Sequence, residues 1–168
     1  MSASGEKRSN LELARVLIPP EGIDWGSVSQ SRMAEDEFVA RVKDLLSDDF
    51  ETVWRHTAGE SELTAGMDAM LEALRRVGQS FETMIAVPER FIDLDGSVLV
   101  LVQRRGRTVT GLDFDEPGAA LYVFEGGCMT QMMLYSNQAL ALTDAGLNAD
   151  QAAERGIASE ELPMPDGD

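Results

Sequence analysis

From residue 81 onward the chain alternates short apolar runs with glycine-containing turns. Four β-type runs cover residues 81–94, 97–106, 112–125 and 128–136. Asp95-Gly96 and Gly126-Gly127 sit between them, the dipeptides that tight hairpins use because their turns need positive φ. Helical spacing precedes this meander in three places, at about 10–18, 33–46 and 64–77. The first carries Leu11, Ala14, Leu17 and Ile18 behind a cap at Ser9 or Asn10, and Pro19-Pro20 stops it. The second, capped by Ser31, presents Phe38, Val42, Leu45 and Leu46 on one stripe. The third follows Thr64 as N-cap, with Met67, Met70, Leu71, Leu74 and Val77 in line and Gly78 as its stop. A short strand at 50–56 lies between the second and third, with Phe50, Thr52, Trp54 and His56 on its inward face.

Helices followed by a long antiparallel meander predict an α+β fold. The strongly bent sheet wraps the three N-terminal helices into a cone with a cavity inside. Residues 1–8 read as a flexible start and 9–147 as a single domain. Residues 148–168 read as an extension: a short helix near 149–155, then, from 158, an acidic tail without structure. The segment 21–29 reads as a connector that Ile23 and Trp25 pin to the body. The longer stretch 19–31 that contains it is expected to pack Trp25 into a groove, or else to close over the cavity as a lid.

Composition narrows the function classes. A net charge of −16 over 168 residues, with no basic run, argues against nucleic acid and anionic membrane as partners. One Cys, Cys128, excludes an intrachain disulfide, and a single His excludes a multi-histidine zinc site. The turn acids Asp93 and Asp95 read as hairpin chemistry rather than as a metal loop. No phosphate-binding loop, dinucleotide fingerprint or serine triad occurs, so no cofactor and no metal are expected. Neither a leader segment nor a membrane-length apolar run is visible, and a cytoplasmic setting is expected.

The candidate chemistry is sparse. His56 alone titrates near neutrality, and its strand phase directs it inward beside Trp54 and Phe50; the opposing reading is a rim histidine bonded to backbone or solvent. Asp113 and Asp115 share one face of the third β-run. If the preceding turn centres near Val109, Arg105 lies opposite Asp113 and Gln103 opposite Asp115. That is either an arginine-supported carboxylate pair or, as the balance favours, a solvated cross-strand ion pair. A two-residue turn at Gly126-Gly127 places Tyr122 opposite Gln131, on one face with Tyr135, Phe124, Met129 and Met133. Such a face serves either as a ligand-pocket wall or as a dimer surface. Leu121, Val123, Met132 and Leu134 make the other face apolar too. Cover on both sides is therefore needed, and a homodimer through the sheet is expected.

Several stretches resemble the SnoaL-like branch of the nuclear transport factor 2-like superfamily: VLVLVQRRGR at 98–107, TGLDF at 110–114, LYSNQAL at 134–140 and DAGL at 144–147. The resemblance runs from about 10 to 147. It implies the cone-shaped fold and a family that mixes isomerases, cyclases, epoxide hydrolases, dehydratases and non-catalytic modules. Two positions depart from the pattern. Gly118-Ala119-Ala120 stands where members often place a His or a bulky residue, and Asn137 stands where an acid commonly opens the last helix.

Two functional classes follow. One is a cofactor-free enzyme acting on a hydrophobic small molecule, with His56 and Asp113 as acid–base candidates and Trp54, Tyr122, Gln131, Met133 and Tyr135 shaping the site. The other is a non-catalytic ligand-binding or dimerisation module. A buried ionisable group with a partner at the cavity floor would favour the first; an apolar lining would favour the second.

Overall fold

The computed structural model describes residues 9–57 and 60–165. Its helices and strands follow in the order α1 (Asn10–Leu17), β1 (Ile23–Asp24), α2 (Trp25–Gln30), α3 (Arg32–Val42), β2 (Leu46–Thr57), β3 (Glu60–Ala65), α4 (Met67–Gly78), β4 (Phe81–Asp93), β5 (Ser97–Thr108), β6 (Asp113–Glu125), β7 (Cys128–Tyr135), α5 (Gln138–Asp144), α6 (Ala149–Arg155) and β8 (Ile157–Ala158). The strands form one strongly curled sheet in the order β1-β4-β5-β6-β7-β2-β3, with β8 added to β4. All pairings are antiparallel except β2 with β7. This is the expected α+β cone.

The turn chemistry explains the meander. Asp95 and Gly96 take φ of 61° and 105°, and Gly126 and Gly127 take 61° and 85°, so both dipeptides occupy the left-handed region that tight hairpins require. Ser9 caps α1 through a reciprocal pair with Glu12, its backbone N–H donating to the carboxylate at 2.8 Å and its hydroxyl accepting from Glu12 N–H at 3.1 Å. Ser31 caps α3.

Alternation along each strand sorts two cores. The concave face gathers Val98, Val100 and Val102 with Ala120, Tyr122, Phe124, Phe50 and Trp54 under α1, α3 and α4. The convex face gathers Ile92, Leu99, Leu101, Ala119 and Tyr135 under Ala141, Leu147 and Ala152, the last three carried by or next to α5 and α6. The second apolar face, which suggested a partner subunit, is thus covered in large part by the chain's own C-terminal helices.

Four local expectations change. The connector at 21–29 is an element of its own: Ile23-Asp24 pairs with Ala86 and Ile85 of β4, and Asp24 caps α2. Thr64 is not the N-cap of α4; it lies in β3, and Gly66 at φ 88° takes the cap position without a side-chain bond. The tail from 158 has structure. Ile157 and Ala158 pair with Phe91 and Arg90, and Leu162 packs against the concave core. The cause is Arg15, only 1 % exposed, which donates from Nε to the Leu162 carbonyl at 2.8 Å and from Nη1 to Ser159 Oγ at 2.9 Å. A buried guanidinium needs acceptors, and this segment supplies them.

The fourth change is one of register. Glu125 pairs with Cys128 and Phe124 with Met129, as the Gly126-Gly127 turn dictates, but Val123 then pairs with Gln131. Thr130 is therefore a bulge. One extra residue moves every later side chain of β7 to the other face.

Candidate functional site

The curl of the sheet leaves an apolar cavity of about 250 Å³ between the concave face and the helices. Val102 of β5, Ala120 and Tyr122 of β6, Leu134 of β7 and Trp54 of β2 line it, and so do Ile18, Ile23 and Trp25 from the N-terminal layer. The half-exposed Val77 and the exposed Ser136 mark its opening. One row of the ladder sets the floor: Val100 pairs with Ala120, Ala120 with Leu134, and Leu134 with Trp54. The small side chain of Ala120, between Val100 and Leu134, leaves the room.

Arg104 is the one charged side chain among the described lining residues. It continues the inward phase of Val98, Val100 and Val102, and its guanidinium runs across β6 to β7. Nη2 donates to Glu116 Oε1 at 2.9 Å and to the Ser136 carbonyl at 3.4 Å. Its Nε is buried without a partner, and so is the Trp54 indole Nε1. Two donor atoms on cavity-lining side chains thus lack protein acceptors, each with almost no surface of its own open to the cavity. The Thr52 and Thr64 hydroxyls, cross-strand neighbours on β2 and β3, are buried unpartnered as well. The Tyr122 phenol completes the polar set; burial pushes its ionisation far above the ordinary tyrosine range, so it is a neutral hydroxyl.

The sequence candidates divide. Trp54 and Tyr122 line the cavity together. The bulge at Thr130 carries Gln131 and Met133 to the convex side, so Tyr122 faces Met132 rather than Gln131. Tyr135 borders the cavity by position, but its ring packs on the convex face, where its hydroxyl donates to Asp144 Oδ2 at 3.0 Å. Arg55 grips the same carboxylate at 2.8 and 3.0 Å. Burial, then the Asp144 bond, raises the Tyr135 pKa to about 12.

Asp113 stands at the far end of the β5–β6 hairpin. The turn centres at Thr110, closed by Thr108 N–H donating to the Leu112 carbonyl at 2.8 Å with Gly111 at φ 92°. Asp113 therefore faces Arg107 at 2.9 Å and Asp115 faces Arg105 at 3.4 Å, both acids largely exposed. Neither lines the cavity. His56 sits where the β2–β3 register shifts, between Arg55 and Thr57; its side chain lies outside the described residues.

Arg104 is the cavity residue that sequence reasoning missed. The signal was present: in VLVLVQR the arginine keeps the period-two phase of three core valines. No group of three or more His, Cys, Asp or Glu that could hold a metal ion occurs among the described residues. No helix of the described residues is long and apolar enough to cross a membrane.

No family model and no curated protein matches the chain. Solved structures do. An NTF2-like protein of unknown function from Burkholderia pseudomallei is similar at TM-score 0.57 and 19% identity, covering 81% of this chain and 97% of that one. A protein described as a SnoaL-like polyketide cyclase, from Jannaschia sp. CCS1, is similar at TM-score 0.59 and 15% identity, covering 84% and 96%. TerC, co-crystallised with polyporic acid, is similar at TM-score 0.56 and 18% identity, covering 81% and 97%. At these identities the likeness establishes the fold, which is the nuclear transport factor 2-like one.

Proposed function

We propose that the protein binds one hydrophobic small molecule in the concave cavity. The observation that carries this reading is an apolar pocket of about 250 Å³ whose described lining holds a single charged side chain, Arg104. A mostly apolar lining with a few convergent polar groups is how ligand sites bind and orient their occupants. Water in such a pocket is poorly bonded, and its displacement by an apolar ligand is favourable. TerC, which shares this fold, has been co-crystallised with a small molecule, polyporic acid, and this supports the reading.

The catalytic version, with His56 or Asp113 moving a proton, has less support. Asp113 is paired with Arg107 outside the cavity, and the described lining holds no carboxylate. Binding is thus the function proposed. The expected homodimer would use the convex strip that α5 and α6 leave open, around Val123, Thr130 and Gln131. Asp48, Asp49, Glu51 and Glu125 rim that strip, so two copies would meet acid to acid. Sedimentation at low and high salt tests it: a dimer through this face tightens as salt rises.

Native mass spectrometry of the protein purified from its own host tests the binding reading. One small apolar molecule per chain supports it. A clean chain that no member of a panel of small aromatic compounds stabilises against heat contradicts it.

A further inference from the structure

One polar side chain of the cavity is enclosed and unbonded, yet not sealed. Tyr122 is only 2 % exposed, and its hydroxyl makes no hydrogen bond among the described residues. Arg104 Nε and Trp54 Nε1 are closed off by packing; the Tyr122 hydroxyl is not, and it keeps surface of its own. In a side chain so deeply buried, that surface opens inward rather than to solvent.

Tyr122 stands in a wall between two spaces. On one side lies the cavity, whose floor residue Ala120 is two positions away on the same face of β6. On the other lies a void of about 10 Å³ among Phe38, Met70, Met129 and Met132. Ile23 and Trp25 border both spaces as well. No described side chain of either lining bonds the phenol. Water is a poor substitute: the void has room for about one molecule, which needs two to four polar partners. Trp25 aside, no other side chain of the void carries an N–H or O–H.

We infer that the ligand is a neutral carbonyl compound and that Tyr122 donates the hydrogen bond that orients it. This rests on the small-molecule reading above and names the ligand class. Burial holds the phenol in its protonated form, so it has a proton to donate. A neutral oxygen suits the position better than a charged one, because an unpaired charge among these apolar side chains would cost far more than one bond returns.

The test compares 2-acetylnaphthalene with 2-isopropenylnaphthalene, which has the same shape with a CH₂ group in place of the oxygen. Calorimetric titration of the full chain gives the ratio of ketone to alkene affinity. That ratio is expected to be about three- to tenfold higher in the wild type than in Tyr122→Phe. Equal ratios overturn the inference and leave the small-molecule reading standing. Binding of neither probe to the wild type removes the reading and the inference with it. Tyr122→Phe breaks no protein bond, so without ligand it is expected to melt no lower than the wild type. A lower melt, or a variant that does not fold, reveals a protein partner for the hydroxyl and overturns the inference. The carbonyl stretch of the ketone bound to the wild type needs no variant: a frequency below that in hexane is expected, and the hexane value overturns the inference.

Discussion

The Arg104 guanidinium lies over the bare backbone of Gly118: a Cβ at 118 would stand 2.8 Å from Nε and 3.2 Å from Cδ. The same Cβ would meet the Tyr135 carbonyl at 3.2 Å. The departure from the family pattern at 118–120 thus has a physical meaning. Small residues there make room for a cavity floor and for an arginine laid along it.

Gly118→Ala should cost about 1–3 kcal/mol, since overpacking moves the arginine and leaves the backbone contact strained. In an Arg104→Ala background the cost should fall by about half or more, because the closest neighbour is gone. Urea unfolding of the four-member cycle measures this. Equal costs in the two backgrounds would show that the two residues do not compete for space.

Ala120→Leu fills the cavity from its floor. Stability should change by no more than about 1 kcal/mol, or rise, because the added methyl groups enter open apolar space. Probe binding should disappear. Calorimetric titration and thermal melting of one sample read both quantities.

Tyr135 makes a pH prediction. Its pKa is about 12 in the folded chain against an ordinary value of 10.0. A raised pKa means the folded state holds the proton longer, so its contribution is complete below about pH 10 and is lost as pH rises toward 12. Tyr135→Phe should melt with a shallower alkaline decline across that window. A decline as steep as the wild type's would place its cause elsewhere.

Arg15 ties the C-terminal segment to α1 and stacks over Phe91 at 5.0 Å from the ring centre. Arg15→Ala should destabilise the protein by about 2–4 kcal/mol, leaving a hole and unpaired carbonyls. Trypsin should then cut faster at Arg155, next to the strand that the tail adds to the sheet. Unchanged cleavage would mean that β8 holds the segment unaided.

The fold was legible because its signals are local. Each hairpin announces itself by a dipeptide that must take positive φ, and each long helix by an apolar stripe. Register was less legible, because it depends on counting. Nothing about Thr130 distinguishes a bulge from a ladder residue, yet that single position decides whether Gln131 and Met133 face the cavity or the convex side. The β5–β6 turn, centred at Thr110 rather than Val109, moved each ion pair by two positions in the same way. The C-terminal tail was misread from its composition: four acids and two prolines suggest no structure, and nothing local reveals that a buried arginine 144 residues away requires its Ser159 carbonyl and hydroxyl. Trp54 and Tyr122 were placed on the cavity side because their strand phase is simple. Arg104 was missed because a charge ending a valine run reads as the point where a strand leaves the core.

The most direct measurement is methyl NMR of the full chain titrated with a two-ring aromatic probe. The account predicts shifts at Ile18, Ile23, Val102 and Leu134, which line the cavity, and none at Leu101 or Leu147 on the convex face. Shifts confined to the convex methyl groups, or none at any probe concentration that dissolves, would contradict it.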